Sequence, residues 1–324
     1  MNIVHIGLGK TATASLQGFV FSKLNRMNVV DTYNKKGVKW YQESNLARDD
    51  INLISDEGII GWNPRSWQYN FENNKIFGKD SIILITVRSH KSWVRSMYLQ
   101  QINIGNAVDP KYYLLSSKDY DYCVGANDKV HNLDSDIILD VDSFNLKEVV
   151  GLYKNYFKKT IVVPIENINK LDFIRELIAI DSKKLNILKK DMKHTKGLNP
   201  SFSSVGVRLS IVREKVASVF GLTTQSSHCL SVRGLIDTQH VAPLSKKELE
   251  REKFDNSFLK KMDRRIKGLV RWRWFMATVI SKVFPKKYSL PNSTYFGKWL
   301  EENDKYYKSI VESREGYVVF CNKQ

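Results

Sequence analysis

Lys10, Thr11, Thr13 and Ser15 gather where an apolar run, Ile3-Val4-His5-Ile6, passes through Gly7-Leu8-Gly9 into an Ala/Leu/Gln segment that reads as a helix. An ammonium, three hydroxyls and the unpaired N–H groups of a helix start together form a cradle for phosphate or sulfate. A P-loop NTPase would carry this chemistry as G-x-x-x-x-G-K-[ST]. Gly9-Lys10-Thr11 fits the end of that pattern. Val4, however, occupies the place of its first glycine, and the extra glycine is Gly7, so the wrap around an anion is shorter.

Such an NTPase also needs an acid at the end of a neighbouring strand to hold Mg²⁺. The strongest later strand signal, Ser81-Ile-Ile-Leu-Ile-Thr-Val87, runs instead into Arg88, and no acid is read at a strand end. A guanidinium fork there, with the Ser96 hydroxyl in the following helix, suits a second phosphate and calls for no metal.

These two segments resemble the nucleotide-binding motifs of the sulfotransferases that use 3′-phosphoadenosine 5′-phosphosulfate (PAPS). His5-Ile-Gly-Leu-Gly-Lys-Thr-Ala-Thr-Ala-Ser-Leu-Gln17 is similar to the 5′-phosphosulfate loop, P-K-[ST]-G-T-[TS]-x-L, and Arg88-Ser-His-Lys-Ser-Trp-Val-Arg-Ser96 to the 3′-phosphate motif, R-D-P-x-x-x-x-x-S. Gly9 stands for Pro, Ala12 for Gly, Ala14 for Thr, and Ser89-His90 for Asp-Pro. Ala12 keeps a backbone N–H for the phosphate on the expectation of a negative φ. Weaker echoes follow in Thr160–Glu166, in Asn199–Ser203, and in Leu290-Pro291 before a closing helix over 294–313.

The resemblance implies metal-free, in-line transfer of a sulfuryl group from PAPS to a hydroxyl or amine, leaving PAP. Lys10 would stabilise the transferring group, and the backbone from Gly9 through Lys10, Thr11, Ala12, Thr13 and Ala14 to Ser15 would hold the 5′-phosphosulfate. Arg88 and Ser96 would hold the 3′-phosphate, and Arg233, from an Arg-Gly pair, is a further candidate for binding the cofactor. A base for the acceptor proton is sought among Glu57, His5 and Glu43, with Glu57 ranked first because it follows a strand expected beside the first one.

Positioning these groups requires an α/β core. Strand signals near 2–6, 51–55, 81–87, 136–141 and 160–165 alternate with helical signals near 12–25, 91–104, 145–158 and 169–190. The alternation predicts a mostly parallel sheet with helices on both faces, the P-loop NTPase-like fold of sulfotransferases. The expected organisation is a PAPS-binding core over 1–200, a helical and basic part over 201–290 (helices near 204–220, 245–261 and 267–283), and a C-terminal helix returning to the core over 291–324.

The formal net charge of +17 over 324 residues asks for an anionic partner. PAPS is one, and a polar or anionic saccharide acceptor would be another; Trp40, Tyr41, Trp62, Trp67 and Tyr69, between the two motifs, could face sugar rings. The basic residues are dispersed and no nucleic-acid module appears, which argues against nucleic acid. No signal peptide or membrane span is read, and Cys123, Cys229 and Cys321 lack metal-ligand spacing, so a reducing cytoplasm is expected. Residues 264–287, with bases and tryptophans flanking an apolar run, read as a core helix or as a peripheral contact with the inner membrane face. Two other readings stay open: a P-loop small-molecule kinase, and a nucleotide-binding relative without catalysis.

Overall fold

The structure is a computed structural model that describes residues 1–24, 27–31, 51–126, 138–193, 202–219, 272, 275–290 and 297–322. Expected features at Glu43, Trp40, Tyr41, Cys229, Arg233 and 245–261 lie outside these residues. The chain divides into two compact units, one formed by Met1–Trp93, Phe144–Leu198 and Thr294–Gln324, the other by Val94–Ser143 and Asn199–Ser293.

The first unit is α/β. Its strands are β1 (Asn2–Gly7), β2 (Met27–Asp31), β3 (Ile51–Asp56), β4 (Ile82–Val87), β7 (Lys159–Pro164) and β8 (Val318–Cys321), in the order β2-β3-β1-β4-β7-β8. All neighbours are parallel except the edge pair β7 and β8. Every residue of β4, Ile-Ile-Leu-Ile-Thr-Val, is buried, as a strand covered on both faces requires. The covering helices include α1 (Thr13–Phe19), α2 (Trp67–Asn74), α5 (Leu146–Tyr156), α6 (Ser182–Lys193) and α8 (Gly297–Val311), while α3 (His90–Ile104) starts here and runs on into the second unit.

Local chemistry sets these elements. In α5, the Asn145 side chain accepts from Glu148 N at 3.1 Å, and Leu146, Val149, Val150 and Tyr153 repeat at helical spacing on the buried side. Ile3, Leu16, Phe21, Leu53, Leu84, Ile161, Phe173 and Leu188 share one apolar cluster. Trp67, Trp93 and Phe144 form an aromatic one, with ring centroids 4.7–5.8 Å apart.

The sheet departs from expectation at its margins. β2 and the antiparallel β8 were not anticipated, because a five-residue and a four-residue edge strand carry little periodicity. The single helix expected over 169–190 is three pieces, the 3₁₀ segments Ile168–Lys170 and Asp172–Glu176 and then α6. Leu171 takes a left-handed φ of 55° between the first two, and the Asp181 carboxylate accepts from Lys184 N at 2.8 Å, capping the third.

In the second unit, β5 (Leu114–Leu115) and β6 (Leu139–Asp140) make a separate parallel ladder, so the strand expected over 136–141 lies outside the main sheet. Here α4 (Ser117–Ala126) starts where the Ser117 hydroxyl meets the buried Asp140 carboxylate at 2.9 Å. α7 (Ser204–Val219) receives the Trp272 indole on Ser210 at 3.2 Å and stacks Arg213 on that ring. Within 264–287 the described residues form a π-helical turn, Phe275–Ile280, continued by Ser281–Val283. Met276 is buried, whereas Phe275, Val283 and Phe284 are exposed. Among the described residues no helix is long and apolar enough to cross a membrane.

Two histidines are sealed in the first unit, and burial lowers the pKa of both His5 and His90 to about 3. Between pH 6.5 and 3 the unfolded chain therefore binds protons that the folded chain refuses. Their contribution is complete above pH 6.5 and is lost as pH falls through that window, at about 1.4 kcal/mol per pH unit for each histidine. Denaturant titration from pH 7 to pH 4 should show this fall, and His90→Gln should flatten the slope by up to one proton. An unchanged slope would mean that His90 is already charged in the native state.

Candidate active site

The loop from Gly7 to Thr13 leaves the C-terminal end of β1, the strand from which the sheet grows in both directions, to β3 and β2 on one side and to β4 and β7 on the other. Such a switch point opens a crevice for ligands at the strand ends. Gly7 is required there, since a Cβ on it would stand 2.0 Å from Thr13 Oγ1. Gly9, Lys10 and Ala12 take positive φ values of 46°, 54° and 69°. Thr11, between two of them, does not. Alternating handedness of this kind turns successive N–H groups toward one side and makes an anion nest.

One expectation about this loop is corrected. Ala12 has a positive φ, the region where glycine costs nothing and alanine is strained, so its N–H is presented at a conformational cost. Gly9 likewise sits where proline, fixed near −65°, could not. The first turn of the cradle thus differs in backbone path from a Pro-Lys loop. Beyond it, α1 has only seven residues, with Thr13 buried, Ser15 half-buried and Ala14 exposed.

The loop carbonyls are tied down from behind. The buried Trp93 indole N–H donates to Leu8 O and, at 3.1 Å, to Gly9 O, while Arg88 Nη1 donates to Lys10 O at 3.1 Å. Arg88 Nε in turn donates to Ser92 Oγ at 2.7 Å, one turn into α3. Arg88 therefore lies against the loop, with a structural task there that the sequence did not reveal. Ser96 follows one helical turn after Ser92 and is half-buried in the second unit.

Among the base candidates, Glu57 begins a 3₁₀ turn at the end of β3. Burial raises its pKa above the ordinary glutamate value, while the Lys10 ammonium, the Thr13 hydroxyl and the opposing effect of Asp56 adjust it. Lys10, Thr13 and Glu57 are thus brought together. His5 is corrected to a packed core histidine: its Nδ1 lies 2.7 Å from Ser55 Oγ, its Nε2 3.2 Å from Thr86 Oγ1, and its ring edge meets Phe21. With both nitrogens engaged and no exposure, it cannot reach an acceptor.

An acid does stand at a strand end, contrary to the sequence reading. Asp56 closes β3, paired in register with Ile6, and its carboxylate accepts from Gly58 N at 2.7 Å. Glu166, just past β7, accepts from the Tyr307 hydroxyl of α8, and the Arg88 guanidinium lies near enough to act on that phenol. Trp67 is 1 % exposed and belongs to the aromatic core, Trp62 is half-buried, and Tyr69 is exposed. Sequence reasoning missed Gln17, Ser55, Thr86 and Trp93. Polar residues inside otherwise apolar strands, Ser55 and Thr86, were the available signal.

No protein-family model, curated protein or solved structure matches the chain.

Gly7→Ala should abolish binding of any phosphate or sulfate ester to the loop, because the new methyl displaces Thr13, whereas Ala12→Gly should stabilise the fold by up to about 1 kcal/mol. Calorimetry and denaturant titration of the two variants check this. A tolerated Gly7→Ala would show that the loop is not the binding element.

Proposed function

We propose that the chain is a PAPS-dependent sulfotransferase of P-loop NTPase-like fold. The observation that carries the reading is the meeting of Lys10 and Arg88 on one nest-shaped loop at the switch point, with the Glu57 carboxylate beside the lysine. Two cations and a row of N–H groups suit a dianionic group at each end of a nucleotide. In this reading Lys10 draws the transferring sulfuryl group and the leaving phosphate, and the loop amides with Thr11 and Thr13 hold the 5′ end. Arg88 takes the 3′-phosphate. Glu57 removes the acceptor proton, a role that a raised pKa serves by making the carboxylate a stronger base. The acceptor proposed is a polar or anionic saccharide, supported by the net charge of +17; Trp67 no longer contributes to that argument.

Asp56 favours a second reading, a small-molecule kinase, because it places a carboxylate at the end of the strand beside the loop, where Mg²⁺ would be held. Calorimetry against PAP, ADP and ATP, in EDTA and in Mg²⁺, separates the two. The sulfotransferase reading expects tight PAP binding in EDTA and transfer from radiolabelled PAPS. ATP binding that requires Mg²⁺, with PAP inert, would establish the kinase instead.

Within the first reading, Lys10→Ala should abolish transfer while PAP affinity stays within about tenfold, since the lysine acts more on the transition state than on the ground state. Glu57→Gln should lower kcat by about a hundredfold or more. Because Glu57 is active only when ionised and its pKa is raised, the wild-type rate should fall with decreasing pH through a value above the ordinary glutamate range. The Gln variant should lack that limb. Arg88→Ala should weaken both PAP and AMP through the loop tie, with PAP losing about tenfold more. Equal losses would assign Arg88 to the loop alone.

A further inference from the structure

The run 264–287 reads from sequence either as a core helix or as a membrane contact, and its described end is not core. Of Phe275–Val283 only Met276 is buried. Phe284 closes the last helical turn by donating its N–H to Ile280 O at 2.8 Å, and Pro285, which has no N–H, ends the helix there. Lys282-Val283-Phe284-Pro285-Lys286-Lys287 are then six consecutive exposed residues, with Val283 63 % and Phe284 47 % exposed.

This turn is clasped on both flanks to the start of α7. On one side Ser281 Oγ accepts from Ser203 N at 3.0 Å and donates to Met276 O at 2.9 Å. On the other, Ser204 N donates to Lys286 O at 2.9 Å, Ser204 Oγ donates to Lys287 O at 3.0 Å, and Ser203 and Lys287 form an antiparallel bridge. The bonds bracket the tip, so Val283 and Phe284 are presented on a fixed turn and little ordering entropy is left to lose on docking.

A single exposed apolar residue is ordinary. Here a valine and a phenylalanine project together, with Lys282 directly before them and Lys286 and Lys287 just after Pro285. Across the described residues 202–219 and 275–290 the only carboxylate is Glu214, which is 1 % exposed and pairs with Arg213 at 3.2 Å. Asp109 acts on Tyr288, one residue past the lysines. The turn itself carries three positive charges and no negative one.

An apolar tip between ammoniums on long stems suits a bilayer interface, where hydrocarbon enters the acyl boundary and lysines reach back to anionic headgroups. A stable protein interface uses about 20–30 residues a side, far more than this tip offers. A nucleic acid would engage the lysines through its phosphates and leave Val283 and Pro285 with nothing to gain.

We propose that the turn Lys282–Lys287 is a membrane-docking site, with Val283 and Phe284 entering the interface of a bilayer that contains anionic lipid and the three lysines meeting its headgroups. The site lies within the second unit and needs nothing from the loop of the first, so it stands or falls apart from the sulfotransferase reading. Each ammonium near an anionic surface is worth about a fivefold gain in binding, and three together about a hundredfold.

The test is cosedimentation of the full-length protein with vesicles of pure phosphatidylcholine and of phosphatidylcholine containing about one-third phosphatidylglycerol. The protein should bind the mixed vesicles at about 0.1 M salt, leave them at about 1 M, and ignore the neutral ones. The triple variant Lys282→Gln, Lys286→Gln, Lys287→Gln should lose about a hundredfold. A charge-matched control on exposed lysines of the first unit, Lys170→Gln, Lys183→Gln, Lys190→Gln, should stay within about threefold. The double variant Val283→Ser, Phe284→Ser changes no charge and should lose about tenfold or more. In the wild type, amine acylation read by mass spectrometry should find Lys282, Lys286 and Lys287 protected on mixed vesicles while the three control lysines stay reactive, a readout that needs no variant to fold. Equal losses in the two lysine triples, or equal protection of the two sets, would reduce the binding to net charge and overturn the proposal. Full binding by the serine variant overturns it too. So does a protein that ignores both vesicles, and one whose lysine turn is needed only for an RNA or duplex DNA probe is a nucleic-acid contact instead.

Discussion

The carbonyl oxygens of Leu8, Gly9 and Lys10 are each taken by a side chain, the first two by the Trp93 indole and the third by the Arg88 guanidinium. A peptide carries its N–H opposite its C=O, so fixing three carbonyls toward the protein turns the loop amides the other way. That tie makes the backbone itself an electropositive surface. It also explains how non-glycine residues hold positive φ at Lys10 and Ala12: the surrounding contacts outweigh the roughly 1–2 kcal/mol that each left-handed residue costs. Arg88 supplies one of the ties and adds its own charge, so the strand end and the loop are one electrostatic object.

The carboxylate at Glu57 has to be understood against that positive field. Burial works against its ionised form, and Lys10 works for it, with burial the larger effect. A carboxylate in this balance is not locked into a strong ion pair, which would lower its proton affinity. Asp56 next to it is engaged by Gly58 N in shaping the turn that carries Glu57. Two adjacent acids therefore divide labour through environment, one shaping the turn and the other facing the lysine.

The central strands and the loop were legible from sequence because continuous apolar runs, Ile3–Ile6 and Ile82–Val87, end in residues of distinct chemistry. What lay hidden was tertiary. Nothing in the spacing of Trp93 says that its indole will cap carbonyls of a loop over eighty positions earlier in the chain, and a histidine on a strand two residues before a glycine does not announce whether it will face a cleft or a core. His5 faces the core because Phe21 and the hydroxyls of β3 and β4 meet on its side of the sheet. Asp56 was missed for a different reason: the strand ran one residue longer than its apolar pattern, so an acid that reads as a turn residue became a strand end. The aromatic cluster of Trp67, Trp93 and Phe144 shows the same limit, since tryptophans that bury completely are indistinguishable by sequence from those that face a ligand.

A loop whose shape is imposed from outside can drift in sequence without losing that shape. If glycine alone made the left-handed turns, Ala12 would break the loop's shape; with Trp93 and Arg88 holding the backbone and the Thr86 hydroxyl meeting the Thr11 side chain, alanine is strained but tolerated. The same reasoning applies to Gly9, whose positive φ excludes a proline and so selects against the residue that would stiffen a freestanding loop. The specificity of the site then resides less in the letters of the loop than in the groups behind it. Because those groups come from β4, the turn after it and α3, distant in sequence, a pattern search confined to the loop sees only its departures. The physical cradle is carried by the fold.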